Sequence, residues 1–502
     1  MKISQLLSFK VVHLHLLICL LLISGRISSQ QIFTVTAEKN PWSDNYLSIS
    51  SMTDFQLWGT YNVHDPSCLL VGDTYYMFST DAIYGEDSTT IKKMKLPFGY
   101  IQVRKSKDLV HWKFSGWAFP EIPEEAREWV LSQSGGKGAT NIWAPYILKN
   151  GNKFRLYYSV SAFGKQTSYI GLAESDSPEG PWEQKGCVVK TTTGDVMNAI
   201  DPSIVTNPAD GTQWMHYGSY FGGLHVLQLN PRTGLALKDG TQGISTARRH
   251  EGQKNNIEAP EIIYNPVLKK YFLFVSYDPL MTTYNVRVGR SDSPEGPFYD
   301  YFGNDMRKEE DNYPILTYPY RFKNHPGWAG TAHCGVFKDK NGDFFMAHQA
   351  RLSPENHQMV LHIRKIFWTK EGWPAVSPER YNGDENQKIS ADDVPGKWEI
   401  IFLRSRIPNR GLEAGQILWG ENLLQSNEMD TSQIILLNKD HSLSGEKTGD
   451  WQYSDNFIKL KLDREKLDAC VFIGHDWENQ TRTLLFTAID KQGNSVWGKK
   501  IH

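Results

Sequence analysis

The stretch "IDPSIVTNPADGTQWMHYGSY", residues 200–220, contains the unit from which the fold follows. Its apolar first half leads into a turn rich in Asn, Asp and Gly, and an aromatic-rich segment follows the turn. This order is typical of a β-hairpin with a short connection. We therefore expect two antiparallel strands here, the first of which begins close to Asp201.

The same plan occurs in four other stretches of the chain. They begin at His64 ("HDPSCLLVGDTYYMFST"), Trp143 ("WAPYILKNGNKFRLYYSVS"), Glu258 ("EAPEIIYNPVLKKYFLFVSY") and His333 ("HCGVFKDKNGDFFMAHQA"). Hairpin units that recur every ~60–80 residues indicate a β-propeller or another β-repeat array, and a closed ring removes exposed sheet edges. The repeat predicts an all-β fold in which residues 32–380 form a five-bladed β-propeller, with five strand heads at one mouth of a central channel.

The pattern changes after residue 380. Residues 381–396 are polar and contain Pro and Gly, as is typical of a linker. Residues 397–502 alternate apolar and polar positions in short runs, which predicts a small antiparallel β-sandwich or barrel. Within the first domain, residues 123–134 ("PEEAREWVLSQS") predict a short helix. The long insertions 81–100 and 300–328 are expected to shape a cleft on the binding face.

The N-terminus has the composition of a targeting segment. Basic residues precede the apolar run "LHLLICLLLIS" and then small residues, which predicts a secretory signal peptide over residues 1–29. That run is too short for a membrane span, and no later apolar run is long enough. We therefore expect an exported, monomeric protein, periplasmic or extracellular, without a membrane span. A net charge of −2 without basic clusters argues against a nucleic-acid partner.

The four cysteines beyond this segment, Cys68, Cys187, Cys334 and Cys470, are widely spaced and do not form a metal motif. Buried free thiols are the expected state. A Cys68–Cys334 disulfide is the alternative, because ring closure would bring the first and fifth units together.

Three of the five strand heads carry acids: Asp65, Asp201 and Glu258. Carboxylates that meet at one place raise one another's pKa, and glycoside hydrolysis uses one ionised and one protonated carboxyl group. Because Trp143 occupies an equivalent head, folding does not require an acid there. Alignment of the prolines places Glu258 one residue ahead of the two aspartates, so a bulge or a shifted strand must turn it toward the channel.

At these residues the chain resembles glycoside hydrolase family 43 over roughly residues 50–380. "HDPS", "IWAP", "AIDPS" and "IEAPEI" stand in the family's order, and "NAIDPS", "YGSYFGGL" and "GTAHCGVF" resemble its endo-1,5-α-L-arabinanases, some of which carry a C-terminal β-barrel. The resemblance implies cleavage of internal α-1,5-L-arabinofuranosidic bonds of arabinan with inversion. It implies that Asp65 is the general base, that Glu258 is the general acid, and that Asp201 orients Glu258 and tunes its pKa.

The resemblance also implies a Ca²⁺ ion in the channel, with His333 and water as ligands. Calcium prefers oxygen ligands, so one imidazole among waters would make a weak site. Trp143 is a candidate stacking platform for a sugar ring, or else a buried blade residue. Asn198, Ser219 and Tyr220 are candidates for binding sugar hydroxyls, or else serve hairpin packing.

Two other functions remain open from the sequence. The first is an exo-acting α-L-arabinofuranosidase or β-xylosidase of the same family, in which a long loop blocks one end of the cleft. The second is a sugar-binding propeller without catalysis, which would be expected to lack at least one of the three acids.

Overall fold

The computed structural model describes residues 58–81, 100–249, 256–308, 311–353, 359–383, 388–405 and 428–502. The predicted signal peptide and most of the insertion 81–100 lie outside these residues. In the part of the chain that is described, no helix has the length and apolar character needed to cross a bilayer. The predicted helix is confirmed as α1, Glu124–Ser134.

The first three repeat units each form a four-stranded antiparallel sheet. In each sheet the strands are adjacent in chain order, as a meander of hairpins produces. The strands are β1 His64–Val71, β2 Thr74–Thr80, β3 Gln102–Ser106 and β4 Lys113–Trp117; β5 Trp143–Asn150, β6 Lys153–Ser161, β7 Ser168–Ser175 and β8 Glu183–Thr191; β9 Ser203–Thr206, β10 Gln213–Tyr217, β11 Leu224–Leu229 and β12 Ile244–Ala247.

The fourth unit has three strands. They are β13 Ile257–Asn265, β14 Lys270–Tyr277 and β15 Asn285–Ser291. The stretch "SDSPEGP" precedes β8 in the second unit and recurs here, but in the fourth unit it leads only to an isolated bridge between Arg290 and Tyr299. Equal sequence at a turn therefore does not guarantee an equal strand after it.

The fifth unit belongs to a larger sheet. The next strands are β16 Tyr320–Arg321, β17 Trp328–Ala329, β18 Cys334–Lys338, β19 Phe344–Leu352, β20 Met359–Trp368 and β21 Pro374–Val376. Two strands follow them, β22 Gly396–Phe402 and β23 Asp430–Thr431. Strand β23 pairs in parallel with β16. The result is a seven-stranded sheet that contains β16–β21 and β23.

The prediction of a five-bladed β-propeller was therefore wrong. Four sheets are separate blades of three or four strands, and the fifth unit is merged into the seven-stranded sheet. The physical reason lies in β19, whose first half pairs with β18 while Arg351 and Leu352 pair with β17. The two-residue strands β16, β17 and β23 are too short to show an alternating pattern in the sequence.

The C-terminal domain is a closed antiparallel barrel of eight strands. Its strands are β22 with β24 Gln433–Leu437, β25 Ser442–Gly445, β26 Gly449–Ser454, β27 Phe457–Leu462, β28 Glu465–Asp476, β29 Thr481–Ile489 and β30 Ser495–Ile501. β22 pairs with both β24 and β30, which closes the barrel and removes its edges. Apolar residues such as Trp398 and Phe486 fill the interior.

The barrel packs on the seven-stranded sheet through apolar and charged contacts. Trp497 lies edge-on to Tyr320, with ring centroids 5.1 Å apart. The Lys499 ammonium is buried within 2.9 Å of Glu379 and 3.0 Å of Asp476, and it also contacts Glu478. Because the partners of this lysine come from both domains, the ion pairs hold the barrel against the propeller.

Five strand heads have left-handed backbone conformations. The residues are Asp65 (φ 51°), Ala144 (42°), Asp201 (60°), Ala259 (54°) and His333 (50°). Register shifts follow the heads of β1, β5 and β13, including one between Glu258 and Glu261, where the sequence requires a bulge or a shift. The αL residue bends each strand as it enters the sheet, so that neighbouring side chains can face the same mouth.

The backbone N–H of each of these five residues donates a hydrogen bond to a side chain of the preceding unit. We call these five bonds the head ring. The acceptors, in chain order, are Gln349 Oε1 for Asp65 (3.2 Å), Thr80 Oγ1 for Ala144 (2.7 Å), Ser159 Oγ for Asp201 (3.2 Å), Asp201 Oδ2 for Ala259 (3.1 Å) and Ser276 Oγ for His333 (3.0 Å). The head ring closes between the last unit and the first, and it fixes the relative positions of the acids.

The four described cysteines are all free. The alternative of a Cys68–Cys334 disulfide is therefore not found in the structure.

Candidate active site

Asp65 lies at the head of β1 and is buried. Its Oδ1 is 2.7 Å from Nδ1 of His64 and 2.7 Å from Nδ1 of His333, while Thr80 Oγ1 donates to Oδ2 at 2.7 Å. Burial alone would raise the pKa of Asp65, but attraction to the two imidazoles outweighs burial and holds that pKa well below its ordinary value. The arrangement keeps this carboxylate ionised.

Glu258 lies at the head of β13 and is partly exposed. Tyr284 donates its hydroxyl to Oε1 at 2.7 Å, and Ser219 donates to Oε2 at 2.8 Å. Burial raises the pKa of Glu258 against these two hydrogen bonds, and the negative charge of Asp65 adds to the rise. A partly accessible carboxyl group with a raised pKa is suited to donate a proton to a bound substrate.

Asp201 is buried. Its strand head comes between those of Asp65 and Glu258 in chain order. Burial raises its pKa well above the ordinary value, and the charges of Glu258 and Asp65 reinforce the effect. Its Oδ2 accepts the backbone N–H of Ala259, the residue next to Glu258. The side chain therefore fixes the backbone that carries Glu258.

The use of a carboxylate at this point of the head ring has a local cause. The hydroxyl acceptors Ser159 and Ser276 lie at the ends of β6 and β14, but the backbone position opposite Ile200 in the third unit is Gly218. A Cβ on Gly218 would come within 2.6 Å of the Gly223 carbonyl oxygen, so no side chain fits there. The next residue, Ser219, contacts Glu258 instead, and Asp201 accepts the Ala259 N–H.

Burial opposes the positive charge on His333, but attraction to Asp65 prevails and raises the pKa of this imidazole to about 9. With Nδ1 directed at Asp65, Nε2 is the ring nitrogen left for a metal, which would have to displace the Nε2 proton to bind there. One nitrogen donor fits a calcium ion only if water supplies most of the other ligands. Among the described residues, a group of three closely spaced acids occurs at Glu379, Asp476 and Glu478, but the Lys499 ammonium contacts all three.

The four predicted substrate-binding residues fall into different environments. Trp143 is half-buried and stands edge-on to the exposed Phe163, with ring centroids 6.1 Å apart. Tyr220 is also partly exposed, and its backbone N–H bonds to the Ile257 carbonyl beside Glu258. Asn198 is buried and accepts a hydrogen bond from Ser168, while Ser219 is buried against Glu258. Two of the four therefore present aromatic surface to the outside, and two act inside the protein.

Sequence reasoning missed three residues that contact the acids: Tyr284, Thr80 and Gln349. Tyr284 precedes β15 in a stretch that is not part of the hairpin repeat, so no sequence pattern points to it. Thr80 ends β2, and Gln349 is the first residue of β19 beyond its pairing with β18; this shared position in the repeat was the available signal.

Comparisons with known proteins agree with this geometry. Residues 59–374 match the family model of glycosyl hydrolases family 43, and residues 378–498 match a C-terminal lipocalin-like domain of the same family. An extracellular endo-α-(1→5)-L-arabinanase of Thermotoga petrophila is 28% identical over 88% of this chain and 93% of its own length. An extracellular exo-α-(1→5)-L-arabinofuranosidase of Cellvibrio japonicus is 32% identical over 65% of this chain and 90% of its own.

Solved structures give the same result. The endo-1,5-α-L-arabinanase from Thermotoga petrophila, in complex with Tris, has a TM-score of 0.73 at 27% identity and covers 89% of this chain and 100% of its own. The Cellvibrio cellulosa α-L-arabinanase complexed with arabinohexaose has a TM-score of 0.52 at 31% identity, over 63% of this chain and 95% of its own. With a matching family model over most of the chain and three acids at one channel mouth, the protein belongs to glycosyl hydrolases family 43.

Proposed function

We propose that this protein is an exported endo-1,5-α-L-arabinanase that hydrolyses internal α-1,5-L-arabinofuranosidic bonds with inversion. The observation that carries the proposal is the opposite tuning of two carboxyl groups at one mouth: two imidazoles favour ionised Asp65, and burial favours protonated Glu258. The relatives whose similarity extends over both domains are named extracellular endo-arabinanases, which supports the endo mode and export.

In the proposed mechanism Asp65 removes a proton from water as that water attacks the anomeric carbon. Glu258 protonates the departing glycosidic oxygen, and the two carboxyl groups of an inverting enzyme stand ~6.5–9.5 Å apart to admit the water. Asp201 touches neither water nor sugar in this scheme. It positions the Glu258 backbone through the Ala259 N–H.

Substrate contacts follow from the exposed aromatic residues. Trp143 and Phe163 offer apolar faces on which a sugar ring can stack beside the mouth, and Tyr220 lies next to Glu258. Ser219 and Asn198 support the site from inside rather than bind hydroxyl groups. The alternative of a non-catalytic sugar-binding propeller is not favoured, because all three acids are present and the charge of Asp65 raises the pKa of both Asp201 and Glu258.

A calcium ion is part of the proposal. His333 Nε2 and water would hold it, and its positive charge would balance the excess of carboxyl groups at the mouth. Chelation followed by calorimetric titration with Ca²⁺ tests the site, and His333→Ala is the variant expected to lose binding.

The endo and exo modes are separated by the products formed from linear arabinan. A ladder of short oligosaccharides early in the reaction is expected from an endo enzyme, whereas release of arabinose alone would replace the proposal with the exo mode, which the Cellvibrio japonicus relative has by name. Release from aryl β-xylosides but not from arabinan would indicate a β-xylosidase.

A further inference from the structure

A second cleft lies between the barrel and the seven-stranded sheet, and it has a volume of about 520 Å³. Strands β26, β27 and β28 form its barrel wall, while Tyr301 and the turn between β20 and β21 form the propeller wall. None of the acids or histidines of the candidate active site lines it. The cleft is thus a separate concave surface, and both domains contribute to it.

The barrel wall follows from the alternation of side chains along β27. Ile458, Leu460 and Leu462 are buried in the barrel, so Lys459 and Lys461 point outward between them. The register places Lys459 between Gln452 of β26 and Asp468 of β28, and it places Lys461 next to Lys466. Polar side chains of three strands therefore form one row along the cleft.

The cleft carries more positive than negative charge. Five lysines and three acids line it, although the whole chain has a net charge of −2. Lys370 pairs with Asp468 at 3.2 Å and Lys461 with Asp450 at 3.5 Å, which leaves three lysines without an ion pair or hydrogen bond among the described residues. These three are Lys459, Lys466 and Lys491. Such a surface attracts an anion.

Two aromatic side chains lie among these charges, and the walls are held together. Tyr301 and Phe457 are each half-buried, and the Lys370 ammonium stands 5.1 Å from the Phe457 ring. Phe367 of the propeller stacks on Phe472 of the barrel with centroids 4.2 Å apart, which fixes the two walls. Partly exposed rings beside ammonium groups suit a ligand that combines carboxylates with the apolar faces of sugar rings.

We propose that this cleft binds a segment of an anionic polysaccharide, with its uronate carboxylates at Lys459, Lys466 and Lys491. Arginine is absent from the lining, whereas sites that bind phosphate by paired contacts favour arginine, so a sugar carboxylate is preferred over a nucleic acid. Where a neutral substrate chain is attached to such a polymer, a second binding surface raises the local concentration of that chain at the propeller. The cleft therefore anchors the enzyme to an acidic matrix while the propeller cleaves elsewhere.

The test is calorimetric titration of the full chain with short oligomers of galacturonic acid at low salt. The triple variant Lys459→Gln, Lys466→Gln and Lys491→Gln is expected to bind at least about tenfold more weakly, because three exposed ion pairs are lost. Fully methyl-esterified oligomers carry no negative charge. They are expected to bind the native protein as weakly as the charged oligomers bind the triple variant. Absence of uronate binding by the native protein, or equal binding by the triple variant, would overturn the proposal.

A matched control keeps the change in net charge constant. Lys388→Gln, Lys397→Gln and Lys439→Gln lie on exposed positions outside the lining and are expected to leave uronate affinity unchanged. If this control weakens binding equally, only overall charge matters and the cleft is not a site. Equal affinity for single-stranded DNA or inorganic phosphate would likewise contradict a sugar-specific cleft. Hydrolysis of soluble linear arabinan by the cleft variant separates failure of this proposal from failure of the proposed function.

Discussion

The buried carboxyl group of Glu261 should make the stability of this protein fall as the pH rises. Glu261 accepts hydrogen bonds from Ser203 Oγ (2.8 Å) and from the Val336 backbone N–H (2.9 Å), which come from the neighbouring units on either side. Burial nevertheless raises the pKa of Glu261 to about 7 from its ordinary 4.5. Between these two values the folded state binds more protons at Glu261 than the unfolded state, so the contribution of this group to stability is greatest below about pH 4.5 and is lost as the pH rises through 7.

The size of the effect follows from the same numbers. A difference of roughly 2.5 pKa units at ~1.4 kcal/mol per unit corresponds to about 3 kcal/mol. Glu261→Gln removes the titration but keeps the shape, because its amide oxygen can accept from Val336 and its NH₂ can donate to Ser203. We expect the variant to gain about 3 kcal/mol over the native protein between pH ~4 and pH ~8, or roughly 5 °C for a cooperative unit of about 300 residues.

The assay is thermal or urea unfolding of both proteins across this pH range, with the difference between them plotted against pH. Taking the difference cancels the contributions to stability of all titrating groups that both proteins share. The exposed Glu128→Gln is the matched control and should give a flat difference. Parallel curves for Glu261→Gln and the native protein would refute the reasoning.

Substitutions at four other residues test the remaining interactions. Glu258→Gln should lower kcat on linear arabinan by about 10²–10⁴-fold, since it removes the proposed proton donor, and full activity of the folded variant would contradict the assignment. Tyr284→Phe removes a hydrogen bond that lowers the pKa of Glu258, so the alkaline limb of kcat/KM against pH should move upward; a downward shift would contradict this role. In urea unfolding Asp201→Ala should be less stable than Asp201→Asn by about 1–3 kcal/mol, because only the amide oxygen of asparagine still accepts the Ala259 N–H; equal stability of the two variants would contradict the head ring. Lys499→Met should cost about 3–5 kcal/mol, because three buried acids lose their cation, and an unchanged midpoint would show that the ion pairs do not hold the barrel.

The sequence predicted the strand heads because hairpin turns and aromatic strands leave a strong local pattern. It also identified the places of Asp65, Asp201 and Glu258, since acids at equivalent heads stand out against Trp143. It did not predict which residue near the end of the second strand contacts the next unit. Ser79 and Ser219 follow the aromatic-rich stretch of their units as Ser159 does, yet Thr80 and Asp201 supply the acceptors. That choice depends on register and on space, as the close approach at Gly218 illustrates.

The merged fifth unit escaped prediction for a related reason. Pairing of β17 with the end of β19, and of β16 with β23, joins segments far apart in the chain through strands of only two residues. Neither hydrophobic period nor turn chemistry encodes such a pairing, because it depends on what the rest of the fold places nearby.

The closure of the head ring has a consequence for the order in which the active site is assembled during synthesis. The Asp65 N–H bonds to Gln349, a residue 284 positions later, and the Asp65 carboxylate contacts His333. A nascent chain therefore contains the proposed base from the first unit onward but holds it in place only after the fifth unit has emerged. Contacts over such separations form late, because the intervening chain must be ordered first. The first acid in the sequence is thus the last to be fixed, and an incomplete chain has no assembled catalytic mouth.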